Sequence, residues 1–226
     1  FRWNSLVHEL LWYISGEEHV RELSEETGIW DAWADDEGRL DTAYGRFWRR
    51  YPVPESGLDG ESWPEDPHRW TTDDEGGRTF DQLQYVLDTL REDPNSRRMV
   101  VNAWHPANAA VSRLPPCHYT FVFNVQGDRL NCHLTQRSGD VALGVPFNIA
   151  AYALLANVVA ARTGFELGEF AHSIVDAHVY CGQGRRGAWY DENLRELSSR
   201  LEAVEAREEY LDVCEWVVES APAEPA

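Results

Sequence analysis

Lysine is absent from this sequence of 226 residues, and all 20 basic residues are arginine. They stand against 39 acidic residues, which gives a formal net charge of −19. Such a chain lacks the basic surface that nucleic-acid binding requires, and anionic membranes repel it. An acidic composition without lysine suits solubility in concentrated salt, where a short Debye length screens the repulsion between carboxylates. The absence of lysine fits an ordinary acidic protein less well. We therefore expect a cytoplasmic enzyme of a salt-loving organism, without nucleic-acid or membrane partners.

Long hydrophobic runs are also missing, since no stretch approaches the ~18 unbroken apolar residues of a membrane span. The 43% of apolar residues excludes disorder of the whole chain and predicts a sizeable core. None of the four cysteines (Cys117, Cys132, Cys181 and Cys214) lies in a zinc-ligand spacing. A chain this long and rich in core residues does not need disulfides, so we expect reduced thiols. The chain begins at Phe1, and we expect it to be a piece of a longer protein.

Apolar periodicity and turn residues predict a single domain over 1–226. The expected helices cover 4–15, 80–92 and 146–162, and the expected strands cover 99–104, 118–126, 129–136 and 168–180. Asn4 is positioned to cap the first helix and Gly16 to end it, and the helix that begins at Pro146 is expected to stop before Gly164. A stretch rich in proline, glycine and acidic residues, about 52–78, predicts a solvated loop insertion. An acidic helical segment is expected over 190–218 within a C-terminal part of about 190–226, which ends in a frayed tail.

Cys117 follows two prolines, Pro115 and Pro116, which stiffen the approach to a strand. Counting back from a two-residue turn at 127–128 places Cys117 opposite Ser138, with Arg137 one position away. A guanidinium beside a thiol favours the nucleophilic thiolate. Three other interpretations stay open: a buried structural cysteine, a register slip that turns Arg137 aside, and a Cys–His hydrolase. The hydrolase fits poorly, because His118 is adjacent to Cys117 on the strand and therefore points to the opposite face.

Three further features have both a structural and a functional interpretation. Glu9 lies at the edge of the apolar arc of the first helix, where desolvation raises the pKa of a carboxyl, although position alone slightly favours an ordinary surface glutamate. Trp30 and Trp33 share a face if 29–34 forms a helical turn, and they indicate either core packing or a wall for a flat ligand. Arg97 and Arg98 indicate either solvated side chains or a phosphate clamp.

Eight sequence strings occur in the order known from one family. They are His8-Glu9-Leu10-Leu11-Trp12, Ile29-Trp30-Asp31-Ala32-Trp33-Ala34, Tyr44-Gly45, Ser96-Arg97-Arg98, Leu114-Pro115-Pro116-Cys117-His118, Gln136-Arg137-Ser138-Gly139-Asp140, Gly144-Val145-Pro146-Phe147-Asn148-Ile149-Ala150 and Asp176-Ala177-His178-Val179-Tyr180. Together they resemble the thymidylate synthase family, which depends on folate and uses a cysteine nucleophile. The resemblance covers about Trp3 to Tyr180 and is specific because of the number and order of the strings.

The resemblance implies an α+β fold with one twisted mixed sheet, helices on one face, and the other face packed on the sheet of a second copy. It also implies reductive methylation of dUMP to dTMP. In that reaction 5,10-methylenetetrahydrofolate is the cosubstrate that donates both the one-carbon unit and the hydride, and no metal takes part. Cys117 would bond covalently to C6 of the uracil ring. Arg97 and Arg98 would reach the phosphate in the site of the other subunit of a homodimer.

The resemblance assigns the remaining site residues position by position. Glu9 would organise water and shuttle protons, Tyr44 would act in removal of the C5 proton, and Asn148 would pair with uracil N3 and O4. The substrate-binding set is Arg97, Arg98, Gln136, Arg137, Ser138, Asn148, His178 and Tyr180. The folate-binding set is Trp30, Trp33, Asp140, Leu143, Gly144 and Phe147, and Asp140 and Arg137 also count among the catalytic residues.

Departures from the family pattern keep two alternatives open. The family carries a further phosphate-binding arginine on an N-terminal segment and a C-terminal tail that closes over the folate, and neither is present in these residues. After Tyr180 the chain reads Cys181-Gly182-Gln183-Gly184 where the family usually has Asn-His. One alternative is a deoxypyrimidine-nucleotide hydroxymethylase, which adds water instead of hydride; Asn148 favours uracil over its cytosine substrates. The other is a non-catalytic dimerisation or binding fragment.

Overall fold

The structure is a computed structural model, and it describes residues 2–40, 43–54, 70–72, 76–180, 184 and 187–193. The helices are α1 (Trp3–Ser15), α2 (Arg21–Glu26), α3 (Tyr44–Arg49), α4 (Gln82–Glu92), α5 (Asn108–Val111) and α6 (Val145–Thr163). The strands are β1 (Tyr51–Pro52), β2 (Trp70–Thr72), β3 (Arg78–Phe80), β4 (Val100–Asn102), β5 (His118–Gln126), β6 (Arg129–Asp140) and β7 (Glu166–His178). Residues 187–193 are also helical.

The main sheet has the strand order β4-β5-β6-β7. The first two pairings are antiparallel and the β6–β7 pairing is parallel, so the sheet is mixed. Helix α6 makes the crossover that a parallel pair needs, and it packs on both strands that it connects. Helices α1 and α4 pack against α6 on the same side. The prediction of an α+β fold with helices on one face of a mixed sheet is confirmed.

The opposite face of the sheet carries exposed side chains. Along β7 the odd-numbered residues from Glu169 to Ala177 are exposed, while the even-numbered residues from Phe170 to Ile174 are partly buried. Val175 on this face is 77% exposed, which is unusual for a β-branched apolar side chain in a central part of a strand. The alternation fits a sheet that is covered by helices on one face only.

Two glycines end helices where the sequence predicts them. Gly16 and Gly164 both have positive φ, 77° and 82°, and close α1 and α6. The predicted cap at Asn4 is wrong, because α1 begins at Trp3 and the Asn4 amide donates to Glu26 instead. Gly45 has a different role, since a Cβ there would overlap the backbone carbonyl of Tyr13. Its missing side chain lets α3 lie directly against α1.

The loop expected over about 52–78 is partly a sheet. Strands β1, β3 and β2 form a three-stranded antiparallel sheet that opens and closes this stretch. The Trp70 ring packs edge-on against Phe80 at 4.9 Å, and the Arg78 guanidinium lies 4.5 Å from the Trp70 ring centroid. These ring contacts explain why a segment without clear periodicity still pairs. Residues 55–69 and 73–75 lie outside the described residues, as do 194–226, so most of the expected acidic helical segment and its tail are not described.

Among the described residues, α6 alone is long enough and apolar enough to cross a membrane, judged by length and composition. Asn148 and Asn157 interrupt its apolar run. Its buried residues, which include Tyr152, Leu155 and Val159, belong to the same hydrophobic core as the residues of β5 and β6. These contacts are those of a core helix packed on a sheet.

Candidate active site

Cys117 lies immediately before β5, and two neighbouring elements hold it in place. Its backbone N–H donates to the Tyr44 hydroxyl at 2.8 Å. The Arg137 guanidinium donates from Nε to the Pro116 carbonyl at 2.9 Å and from Nη2 to the Pro115 carbonyl at 2.7 Å. The same Nη2 lies 3.5 Å from Cys117 Sγ. The carbonyls of the two prolines therefore fix a cation beside the sulfur of a half-buried cysteine.

The strand register at Cys117 differs from the predicted one. From the turn at 127–128 to the pair Thr120–Thr135, β5 and β6 pair as predicted. Between Thr120 and His118 the register then shifts by one residue. As a result the backbone N–H of Arg137 donates to the Cys117 carbonyl at 2.8 Å, and the predicted opposition of Cys117 and Ser138 is wrong. A β-bulge re-aims side chains at a strand end. This one brings Arg137, rather than Ser138, next to the thiol.

Two opposing effects act on the Cys117 thiol. Burial raises the pKa of the Cys117 thiol, and the Arg137 guanidinium opposes this effect without overcoming it. Arg137 still favours the thiolate relative to a site without a cation. The second described cysteine, Cys132, is fully buried in β6, and its pKa is raised further by burial alone.

Glu9 is enclosed by aromatic side chains. One carboxylate oxygen, Oε1, accepts hydrogen bonds from the Tyr13 hydroxyl and from Trp30 Nε1, both at 2.7 Å. Desolvation raises the pKa of Glu9, and the two hydrogen bonds act in the lowering direction. The pKa of Glu9 is therefore raised, as expected for a carboxyl at the edge of the apolar arc of α1. A carboxyl in this state is suited to hold a proton at a pH where an exposed glutamate has lost it.

Tyr44 connects the Glu9 cluster with Cys117. Its ring stacks on His118 with a centroid distance of 3.7 Å and an interplanar angle of 1°, and it also contacts the Tyr13 ring at 5.2 Å. Burial raises the pKa of the Tyr44 phenol, so the hydroxyl stays neutral while it accepts the Cys117 N–H. His118 is directed into the core, with Nδ1 at 2.7 Å from the Tyr152 hydroxyl. Burial lowers the pKa of His118 to about 3, and this neutral, enclosed imidazole is a poor base for Cys117.

A second hydrogen-bonded group joins β6, β7 and α6. Gln136 donates from Nε2 to Asn148 Oδ1 at 3.0 Å and to the Ser138 carbonyl at 2.8 Å. Its Oε1 lies 3.0 Å from His172 Nε2. Because Oε1 only accepts, the His172 ring carries its proton on Nε2, and burial lowers the His172 pKa to about 4, which keeps the ring neutral. This arrangement fixes the orientation of the Asn148 amide.

His172 is a site residue that the sequence reasoning missed. It lies six residues before His178 on the same strand, and an even spacing places both side chains on one face. This alternation is the sequence feature from which His172 could have been predicted as a site residue. The neighbouring Asp140 ends β6 and accepts the N–H groups of Ala142 at 3.2 Å and Leu143 at 3.0 Å, so it closes the turn that leads into α6.

The remaining expected residues lie in less constrained positions. Residues 29–33 form turns rather than a regular helix; Trp30 is buried and Trp33 is half-buried. Arg97 and Arg98 are exposed in the connection between α4 and β4. Ser138, Gly144, Phe147, His178 and Tyr180 are half-buried, and Leu143 is 37% exposed. His178 and Tyr180 pack edge-on at 5.1 Å, at the end of β7.

Comparisons with known proteins bear on the whole described region. A family model described as thymidylate synthase matches residues 1–215. A curated thymidylate synthase from Haloferax volcanii is 77% identical over 224 residues, which is 99% of this chain. The chain spans 65% of the length of that relative. By this match and by the mixed sheet with its cysteine, arginine and glutamate clusters, the chain belongs to the thymidylate synthase family.

Proposed function

We propose that the protein converts dUMP to dTMP in the cytoplasm, with 5,10-methylenetetrahydrofolate as the source of both the one-carbon unit and the hydride. One observation carries the proposal: Cys117 is half-buried, and its Sγ lies 3.5 Å from an Arg137 guanidinium that two proline carbonyls hold in place. A structural cysteine does not need a fixed cation. A nucleophile does, because its thiolate has to form in a partly desolvated place.

In the proposed reaction the Cys117 sulfur loses its proton and bonds to C6 of the pyrimidine, which makes C5 nucleophilic. C5 takes the one-carbon unit from the folate, and the C5 hydrogen leaves as a proton. A hydride from the tetrahydrofolate then completes the methyl group, and the S–C6 bond breaks to release dTMP and dihydrofolate. Neutral Tyr44, whose hydroxyl already faces the Cys117 backbone, is the group we assign to the C5 proton.

Glu9 and Asn148 are assigned to the pyrimidine. The raised pKa of Glu9 suits transfer of a proton toward O4 through water. Asn148 offers an amide whose Oδ1 is already oriented by Gln136, and a neutral amide both donates and accepts, as uracil N3 and O4 require. Arg137, Ser138, His178 and Tyr180 are assigned to the phosphate and ribose. Trp30, Trp33, Asp140, Leu143, Gly144 and Phe147 are assigned to the folate.

We further propose that two copies pack through the exposed face of the main sheet. Val175 and Val100, at 77% and 42% exposure, make this face apolar enough to gain from burial. Arg97 and Arg98 of the partner subunit then complete the phosphate site. Their exposure in the connection before β4 leaves both guanidinium groups available for such a contact.

The decisive experiment traps the covalent step in the full-length protein. Incubation with 5-fluoro-dUMP and methylenetetrahydrofolate is expected to give an adduct on the peptide that contains Cys117, measured by mass spectrometry. Buried Cys132 serves as the internal control and should stay unmodified. Cys117→Ala should remove both the adduct and dTMP formation. An adduct elsewhere, or dTMP formed by C117A, contradicts the nucleophile; hydroxymethyl-dUMP as the product supports the hydroxymethylase, and no turnover supports a binding fragment.

A further inference from the structure

Tyr190 is fully buried in a helical segment whose neighbouring side chains are exposed. Only 1% of Tyr190 is accessible, whereas Trp189 is 37% exposed and Asp191 and Glu192 are exposed. The segment, 187–193, follows β7 and lies beyond the strings that indicate the family. A tyrosine buried to this degree requires partners for its hydroxyl.

The Tyr190 hydroxyl finds both partners at the turn after β6. It donates to Asp140 Oδ1 and accepts the backbone N–H of Ala142 at 3.0 Å. The ring also faces Tyr180, with the centroids 6.4 Å apart. One side chain therefore connects the end of β6, the turn over 141–144 and the residue assigned to the ribose.

The two carboxylate oxygens of Asp140 differ in the number of hydrogen bonds that they accept. Oδ1 receives three donors, namely the Ala142 and Leu143 N–H groups and the Tyr190 hydroxyl. Within the described residues, no hydrogen bond to Oδ2 accompanies them. Oδ2 is consequently the oxygen left to accept from a bound molecule, and its direction depends on what holds Oδ1.

The turn that Tyr190 holds also leads into the part of α6 that faces the site. Gly144 N–H donates to the Asp140 carbonyl at 2.9 Å, and α6 begins at the next residue. Phe147 and Asn148 lie in its first turn. A shift of the 141–144 turn would move the Asp140 carboxylate and the adjoining Leu143 and Phe147 together.

We propose that Tyr190 is a positioning residue that fixes the Asp140 carboxylate and the 141–144 turn for the pterin ring of the folate, so that Oδ2 accepts a ring N–H. This inference rests on the proposed function, because it takes Asp140 as a folate contact. Tyr190 does not touch the reacting atoms. Its loss weakens folate binding and leaves dUMP binding in place.

The test compares Tyr190→Phe with Trp189→Phe in the full-length protein. Y190F removes one hydroxyl and keeps the ring. W189F changes the neighbouring ring, which packs edge-on against Tyr190 at 5.2 Å, and keeps the Tyr190 hydroxyl. Y190F is expected to raise KM for methylenetetrahydrofolate about tenfold, the effect of losing one hydrogen bond to a charged group, with KM for dUMP unchanged. Backbone amide exchange at Ala142 and Leu143 should become faster in Y190F only. W189F should leave both KM values and both exchange rates as in the parent.

The two readouts separate the inference from the proposed function. If the parent protein makes dTMP and Y190F has the parental KM for the folate, Tyr190 does not position Asp140 and the inference is overturned. Equal rises in both KM values, or a rise in W189F as large as in Y190F, also overturn it, since they indicate general damage. If the parent makes no dTMP, the proposed function fails, while exchange at Ala142 and Leu143 still decides whether Tyr190 holds the turn.

Discussion

The guanidinium of Arg137 is tied to the carbonyls of both residues that precede Cys117, and its Nη2 lies 3.5 Å from the sulfur. Proline contributes no N–H, so Pro115 and Pro116 offer only acceptors to a neighbour. The paired prolines thus do more than stiffen the chain. They provide the acceptors that hold a cation at a fixed distance from the thiol.

Replacement of Arg137 by Gln should raise the pKa of the Cys117 thiol. Burial already raises that pKa and the cation lowers it, so loss of the cation leaves burial unopposed. A charge at this distance shifts a pKa by about one unit or more. The rate of iodoacetamide alkylation against pH, followed on the Cys117 peptide, measures the change. An alkylation profile that does not move to higher pH in R137Q contradicts a direct electrostatic role of Arg137.

Glu9→Gln should make the protein more stable at high pH and less active. The folded pKa of Glu9 is raised above the ordinary value of 4.5, so the stability present below pH 4.5 is lost as pH rises through the folded pKa. Glutamine keeps an oxygen to accept from Tyr13 and Trp30 but never ionises. The free energy of unfolding, measured by denaturant titration, should therefore fall less with pH in E9Q. A difference between E9Q and parent that is independent of pH would show that Glu9 is not desolvated.

His172→Gln should reduce the loss of stability in mild acid. The folded pKa of His172 is lowered to about 4, against 6.5 for an ordinary histidine, so stability is complete above pH 6.5 and is lost as pH falls toward 4. One proton gives a slope of at most about 1.4 kcal/mol per pH unit in that window. Glutamine retains a donor for Gln136 Oε1 and removes the titration. Parallel stability curves for H172Q and parent across this window would contradict the assignment.

The active-site hairpin illustrates how far sequence reasoning reaches. The turn fixes the register, and counting from it gives correct pairs from Gln126–Arg129 to Thr120–Thr135. The count fails beyond Thr120 because a bulge adds one residue to a single strand, and no residue type there signals it. The pairing of Cys117 with Arg137 depends on that one extra residue.

The helix ends and the side-chain networks also include features that the sequence predicts and features that it does not. Gly16 and Gly164 end their helices as predicted, because a positive φ is a local property of one residue. Asn4 is not a cap because α1 begins one residue earlier, at Trp3, and its side-chain amide donates instead to Glu26 of another helix. His172 and Tyr190 escaped prediction for a related reason, since their partners Gln136 and Asp140 are distant in sequence. Contacts between distant elements are fixed by packing, which composition and periodicity do not encode residue by residue.

Concentrated salt should stabilise the protein, because its charge of −19 arises from 39 acidic residues against 20 arginines. The Debye length falls from about 10 Å at 0.1 M to about 3 Å at 1 M, so repulsion between exposed carboxylates is largely removed in molar salt. The midpoint of thermal unfolding is therefore expected to fall steeply as KCl is lowered through this range. Asp36→Asn with Glu37→Gln, at two exposed positions, should weaken the dependence without altering the core. A midpoint indifferent to salt in the parent would contradict adaptation to a saline interior, and an unchanged dependence in the double variant would assign it to hydrophobic burial instead.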